Sequence, residues 1–274
     1  MIEVNNLSYG YYSHAQVLRD ITLAMPSGHI YGLLGKNGVG KSTLLKLLTG
    51  TLRGQGDIRI GGLDPRQDDA RFLEQVRLVP ETDTLFPITV EELTSITAPL
   101  YPTFDHALME EALTEFEVPR GRQLTTLSLG QQKKALIALS LACNTPYLLM
   151  DEPTNGMDIP SKSTFRRLVA RAADEGKTVV ISTHQVDDID SLIDAVVILE
   201  NQGVLLSATL DEVGRRLAFC AAEDGDEVLY SEQTPIGQWS VVVNTRGAET
   251  NVNMKMLFKA VIKNKQRIAA LFRK

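Results

Sequence analysis

The chain has 274 residues, 43% of them hydrophobic, with 28 Lys and Arg against 34 Asp and Glu, a net charge of -6. That length and apolar content suffice for a substantial core, one domain plus a small annex, while the acidic balance argues against a general nucleic-acid surface, so no nucleic-acid partner is expected. Cys143 and Cys220 are too few for a disulfide framework, no segment offers ~18 uninterrupted apolar residues for a membrane span, and the N-terminus MIEVNNLSYGYY lacks the basic-then-apolar pattern of a secretory signal.

In chain order, strands are predicted near residues 2 to 5, 17 to 25 and 29 to 34. The last, HIYGLL, leads into GKNGVGKST, Gly35 to Thr43, and Ser42-Thr43-Leu44-Leu45-Lys46-Leu47-Leu48 leads out with helical spacing. G-x-x-x-x-G-K-[ST] between a strand and a helix is a phosphate loop. Gly35, Asn37, Gly38 and Gly40 form the cradle: the glycines let the backbone take dihedrals that a Cβ would obstruct, so successive N–H groups point at an anion. The helix adds its unpaired N-terminal N–H groups and the positive end of its dipole. Lys41 reaches the β- and γ-phosphates in such a loop, Ser42 ligates Mg²⁺ and Thr43 helps hold the α-phosphate. A glycine-rich turn before an ordinary Ser-Thr helix start is the plainer alternative.

A strand at Ile58 to Ile60 follows. Residues 89 to 117 read as helices broken by Pro99 and Pro102, and Ser128 in TLSLGQQKK as the N-cap of another helix with Ala135, Leu136, Leu139, Ala142 and Cys143 on its apolar stripe. Residues 84–145 thus form a predicted helical subdomain. Strands at 147 to 151, 178 to 182 and 195 to 199 alternate with helical patterns, the signature of a parallel α/β sheet. The first of these, in YLLMDEP, ends in two carboxylates. Asp151 suits Mg²⁺ held through water. Glu152 faces the other side of the strand and is the candidate to orient or deprotonate an attacking water; without the phosphate loop the pair would read as a polar strand exit.

Beyond Gly214, Val228, Tyr230, Trp239, Val241 and Val243 alternate on either side of Pro235 and Gly237, which predicts a hairpin. Met254, Leu257, Phe258, Val261 and Ile262 then recur at helical spacing beside Lys255, Lys259, Lys263, Lys265, Arg267, Arg273 and Lys274. A basic amphipathic helix of this kind binds a membrane face or a partner helix, or packs against its own domain.

Together GKNGVGKST, LSLGQ, YLLMDEP and ISTH, spread over residues 1 to 215, resemble the ATP-binding cassette (ABC) ATPases of membrane transporters. The resemblance implies an α/β fold: a phosphate-loop NTPase (RecA-like) core with a mostly parallel sheet, an N-terminal antiparallel β subdomain and a helical subdomain. The nucleotide-binding domain would be residues 1–214, followed by a C-terminal extension, 215–274. It also implies that Ser128, Gly130 and Gln131 reach the γ-phosphate bound by the other subunit, with Leu129 in place of the family's first glycine. Tyr12, or its neighbour Tyr11, would stack on adenine. Asp158, in NGMD, would cross the dimer interface, and His184, the switch histidine, would contact the γ-phosphate and join Glu152 and Lys41 in catalysis. Glu81 stands where most cassettes have Gln; a carboxylate beside a triphosphate must approach through Mg²⁺ or swing away, which suits a sensor of nucleotide state. The segment VPETDTLFPITVEEL, with LSLGQQKKA and DEPTNGMD, resembles the ABC-2 exporter subgroup.

The implied molecule is an ATPase using ATP and Mg²⁺, paired with an identical copy or another ABC ATPase subunit. It would lie on the cytoplasmic inner face of the membrane, bound through its helical insert to an integral membrane permease. A soluble cassette acting in translation or DNA repair, a phosphate-loop kinase and a binding-only cassette are the rival classes. The first would typically show a second cassette or a long coiled coil, the second would lack the Ser128 segment, and intact Lys41, Asp151, Glu152 and His184 argue against the third.

Overall fold

A computed structural model describes residues 1–12, 15–67, 69–81, 85–173, 176–235 and 237–272. Strand β1 (Ile2–Tyr12) buries Ile2, Val4 and Leu7; a bulge at Asn6, where φ is 50°, restores the inward face after Val4. It pairs antiparallel with β2 (Ala15–Met25). β3 (Ile30–Leu34) leaves this layer and runs through the phosphate loop into α1 (Lys41–Leu48), after which β4 (Gln55–Ile60) returns to the free edge of β1. The N-terminal antiparallel layer is therefore β2-β1-β4.

The chain continues through α2 (Ala70–Leu73), β5 (Val76–Val79), α3 (Val90–Thr97), α4 (His106–Glu115) and α5 (Leu129–Ala142). Each of these last three helices starts on a side-chain cap: Thr89 and Ser128 in reciprocal capping boxes with Glu92 and Gln131, and Asp105 on the Leu108 N–H. Pro99 lies in the short 3-10 turn that ends α3. β6 (Tyr147–Asp151), α6 (Ile159–Ala172), β7 (Thr178–Thr183), β8 (Ala195–Glu200) and β9 (Gly203–Thr209) complete the core.

The central sheet has the order β5-β6-β7-β3-β8-β9, parallel except for β9. Both faces are covered, which is why its strands read as continuous apolar runs. Tyr31, Leu33, Leu149 and Val197 pack with α1 and the antiparallel layer. Leu34, Leu148, Met150, Val196 and Ile198 face the helices on the other side. β7 lies between the phosphate-loop strand and the strand ending in Asp151: Leu33 and Asp151 are both in register with Ser182. Three carboxyl strand ends thus open at one edge, where doubly wound sheets bind ligands.

After α7 (Leu210–Arg216), β10 (Leu217–Cys220), β11 (Val228–Thr234) and β12 (Gly237–Val243) form an antiparallel sheet of order β10-β12-β11. β10 is a strand that the sequence pattern did not announce. Two helices close the chain, α8 (Met254–Lys263) and α9 (Lys265–Phe272). The apolar stripe of α8 is buried against the protein itself through Met254, Leu257 and Val261. The basic residues of α8 and α9 are engaged internally. Lys255 pairs with Asp187 at 2.6 Å, Lys259 with Glu232 at 2.5 Å, Arg267 with Glu227 at 2.5 Å and Lys265 with Glu200, while Lys263 lies 4.9 Å from the Tyr230 ring centroid. Packing on its own domain therefore displaces the reading of this stripe as a membrane-facing surface; Arg273 and Lys274 lie outside the described residues. Among those residues no helix is long and apolar enough to cross a membrane.

Candidate nucleotide site

The phosphate loop turns on two left-handed glycines, Gly38 at φ 77° and Gly40 at φ 107°. A Cβ on Gly40 would approach Leu18 Cδ2 to 2.7 Å, so close packing as well as dihedral freedom requires glycine there. Lys41, 6% exposed, folds back over the loop and donates to the Gly35 carbonyl at 2.9 Å and the Lys36 carbonyl at 3.4 Å. No acidic residue occupies the first turn of α1, leaving its dipole uncompensated.

Across a cavity of about 530 Å³ stand the groups carried by β6 and β7. Glu152 Oε1 lies 2.9 Å from His184 Nδ1 and 3.5 Å from Lys41 Nζ. The Glu152 backbone is in the left-handed region at φ 45°, a conformation costing a non-glycine residue about 1–3 kcal/mol and typical of functional sites. Its N–H is held by the Ser182 carbonyl at 3.0 Å and by Ser182 Oγ at 3.2 Å. The Ser182 hydroxyl donates to Asp151 Oδ1 at 2.5 Å. One serine on β7 thus holds both neighbouring acids. Ser182→Ala is expected to lower stability by about 1–3 kcal/mol, the cost of leaving buried polar partners unpaired, read as a shifted urea midpoint.

Lys133 on α5 donates to the carbonyls of Glu152 at 2.9 Å and Asn155 at 3.3 Å. Burial lowers its pKa, opposed by the carboxylates of Glu81, Glu152 and Asp151. Glu81 sits on the exposed rim and accepts from Asn155 Nδ2 at 3.4 Å. Asn37, Gly38, Gly40, Lys41, Ser42, Thr43, Glu81, Glu152 and His184 all line this cavity; Gly35 contributes the carbonyl beneath Lys41.

Tyr12 does not line it. That residue is 80% exposed at the end of β1, whereas Tyr11 enters the lining with its hydroxyl 3.2 Å from Thr43 Oγ1, because successive strand residues face opposite sides. Ser128, Gly130 and Gln131 are also outside the cavity; Ser128 and Gln131 close the reciprocal cap of α5, and Leu129 is 83% exposed. Asp158 caps α6, accepting from the Ser161 N–H at 2.8 Å; hydrogen bonding from the Ser161 side chain and then from this N–H holds its carboxyl below the ordinary range. Sequence reasoning assigned no role to Ser182 or Lys133. The only signal for Ser182 was its place two residues before His184, since the strand pairing that gives it a role is not local.

The arrangement fits a nucleoside triphosphate: a glycine nest, a helix N-terminus and a buried ammonium converge on one cavity. For Mg²⁺ the cavity lining offers hard oxygen donors on Ser42 and Glu81. Asp151, 4% exposed, does not line it and its Oδ1 accepts from Ser182, so a water would have to link Asp151 to the ion. Among the described residues no three His, Cys, Asp or Glu side chains converge on a metal position, so phosphate oxygens and water would complete the shell, the usual habit of Mg²⁺.

The chain is similar in sequence and fold to known ATP-binding proteins. A family model described as ABC transporter matches residues 18–155. The ABC transporter ATP-binding protein YtrB of Bacillus subtilis is 29% identical over 216 residues, 78% of this chain and 73% of that one. The cobalt import ATP-binding protein CbiO of Rhodobacter capsulatus is 36% identical over 210 residues, 73% of this chain and 75% of that one. A solved structure of the ATP binding subunit of an ABC transporter has a TM-score of 0.70 at 29% identity, covering 78% of this chain and 92% of that one.

Proposed function

Because the chain belongs to the ABC transporter family as an ATP-binding, ATP-hydrolysing subunit, we propose that two cassettes close head to tail around two Mg-ATP to drive export through a separate permease. One observation supports the dimer: the Ser128 segment does not line its own chain's phosphate cavity, and in this reading the matching segment of a second cassette comes there. Leu129 and Ile159 support it, each 83% exposed and each beside a residue expected at the interface, Ser128 and Asp158. A two-fold axis makes both nucleotide sites equivalent in a homodimer.

In this reading the exposed ring of Tyr12 takes the adenine while Tyr11 steadies Thr43. Ser42 and, through water, Asp151 would hold Mg²⁺, which would supply charge neutralisation at the β- and γ-phosphates. Lys41 moves its donors from the loop carbonyls and Glu152 to the phosphate oxygens, which releases the Glu152 carboxylate from the ammonium and leaves His184 as its partner at Oε1. Glu152 then takes a proton from water as that water attacks the γ-phosphorus and the bond to the bridging oxygen of ADP breaks. His184 holds the carboxylate in place. Charge-assisted hydrogen bonds contribute about 1.5–3 kcal/mol each, so a few contacts from Ser128, Gly130, Gln131 and Asp158 decide between open and closed dimers.

The permease would grip the helical insert, where Phe86, Ile96 and Leu100 are exposed apolar residues at 68%, 61% and 64%. The subunit would then lie on the cytoplasmic membrane face. Export is favoured by the likeness of residues 79–93 to the ABC-2 subgroup; identity to a cobalt-import subunit favours import as the second reading. Direction is decided by reconstituting the complex in vesicles and measuring which way cargo moves.

Co-purification with an integral membrane protein from detergent-solubilised membranes tests the transporter assignment, and its absence would favour a soluble cassette. Ser128→Arg is expected to leave nucleotide binding by the monomer intact and to abolish the ATP-dependent dimer in sedimentation. Glu81→Gln is expected to keep ATP affinity within about fivefold, the scale of one exposed polar contact, while changing ATPase stimulation by the permease. A large loss of affinity in that variant would argue against a sensing role.

A further inference from the structure

A cavity of about 940 Å³ opens where the C-terminal sheet meets the turn after His184. Its size is that of a small-molecule site, and its lining has the matching composition of apolar and aromatic groups with a few polar ones. Phe219, Trp239, Val252 and Met254 supply the apolar surface. Three carboxylates, Asp187, Asp190 and Glu232, face one ammonium, Lys255. Two of the three are already occupied, Asp187 by Lys255 at 2.6 Å and Glu232 by Lys259 at 2.5 Å. Asp190 has no hydrogen bond or ion pair among the described residues. An aromatic wall beside an uncompensated carboxylate attracts a positive charge carried on an apolar body.

The same cavity touches the catalytic machinery through one turn. Val186–Asp188 follows His184 by two residues, and His184 holds Glu152. From the core, Asp188 accepts from Thr154 at 2.9 Å and pairs with Lys162 at 2.7 Å. From the annex, Lys255 of α8 grips the neighbouring Asp187.

We propose that this cavity is an effector site for an amphipathic organic cation of drug size, recognised by Trp239 and Asp190, whose binding competes with Lys255 for Asp187 and slows ATP hydrolysis. Binding itself stands on the cavity alone; the coupling rests on the ATPase reading above.

Trp239 is the chain's single tryptophan, so its emission reports on this cavity without background. The test titrates tetraphenylphosphonium into the full-length protein, following Trp239 fluorescence and ATPase rate together. A saturable fluorescence change is expected, with its midpoint raised about tenfold by Asp190→Asn, the scale of one charge-assisted contact. Neutral triphenylphosphine oxide should bind about tenfold more weakly for the same reason. The ATPase rate should fall about fivefold with the same midpoint, the lower end of ordinary coupling strengths. No saturable change, or equal midpoints for the neutral probe and for Asp190→Asn, would overturn the site. Saturable binding with an unchanged ATPase rate would overturn the coupling. Absence of ATPase before any probe is added would count against the nucleotide reading instead.

Discussion

Glu152→Gln is expected to lower ATP turnover by about 10²- to 10⁴-fold, the contribution of a positioned general base, while ATP stays bound and the closed dimer accumulates. The substitution keeps the shape of a side chain that is 6% exposed and still allows contact with His184 Nδ1, 2.9 Å away in the wild type. What it removes is the basicity and the charge. The closing contacts proposed from Ser128, Gly130, Gln131 and Asp158 do not involve Glu152, so closure should survive and its release should fail. Sedimentation of the variant with Mg-ATP should show a stable dimer, and single-turnover kinetics should show a slow chemical step. Near-normal turnover would reject Glu152 as the base. A variant that binds ATP yet stays monomeric would remove the dimer from the proposal.

Lys41→Ala acts on the other half of the cycle. It should weaken ATP binding about 10- to 100-fold, since a buried ammonium supplies charge-assisted bonds of about 1.5–3 kcal/mol to the phosphates. The loss reaches the nucleotide-free protein as well: the Gly35 carbonyl loses its 2.9 Å donor and Glu152 loses a counter-charge 3.5 Å away. An uncompensated buried carboxylate is costly, so the variant should also unfold at lower urea than wild type. Titration with a fluorescent ATP analogue separates this variant, which loses binding, from Glu152→Gln, which keeps it. Unchanged affinity would mean that the phosphates do not sit against Lys41.

The start of α5 was legible to the residue because its cap is local: Ser128 and Gln131 close a capping box over three positions. The cap of α6 by Asp158 was not read from the sequence. Strand ends were less legible: β1 runs to Tyr12, well past the predicted residue 5, because pairing with β2 extends it through several irregularities of register. The annex shows the same limit. β10 exists because four residues find β12, and the basic residues of α8 and α9 lose their membrane-facing character because acids on distant elements meet them.

By itself the sequence determined the chemistry on offer: a phosphate nest from Gly38 and Gly40, a lysine behind it, and two adjacent carboxylates at the end of an apolar strand. Those are matters of spacing along a few residues, where dihedral preference and strand alternation act directly. Only the tertiary structure decided that Ser182 holds both acids, that Tyr11 rather than Tyr12 enters the cavity, and that the Ser128 segment lies outside it. Strand order and register set those relations, and both depend on contacts between residues far apart in the chain, which local pattern does not encode.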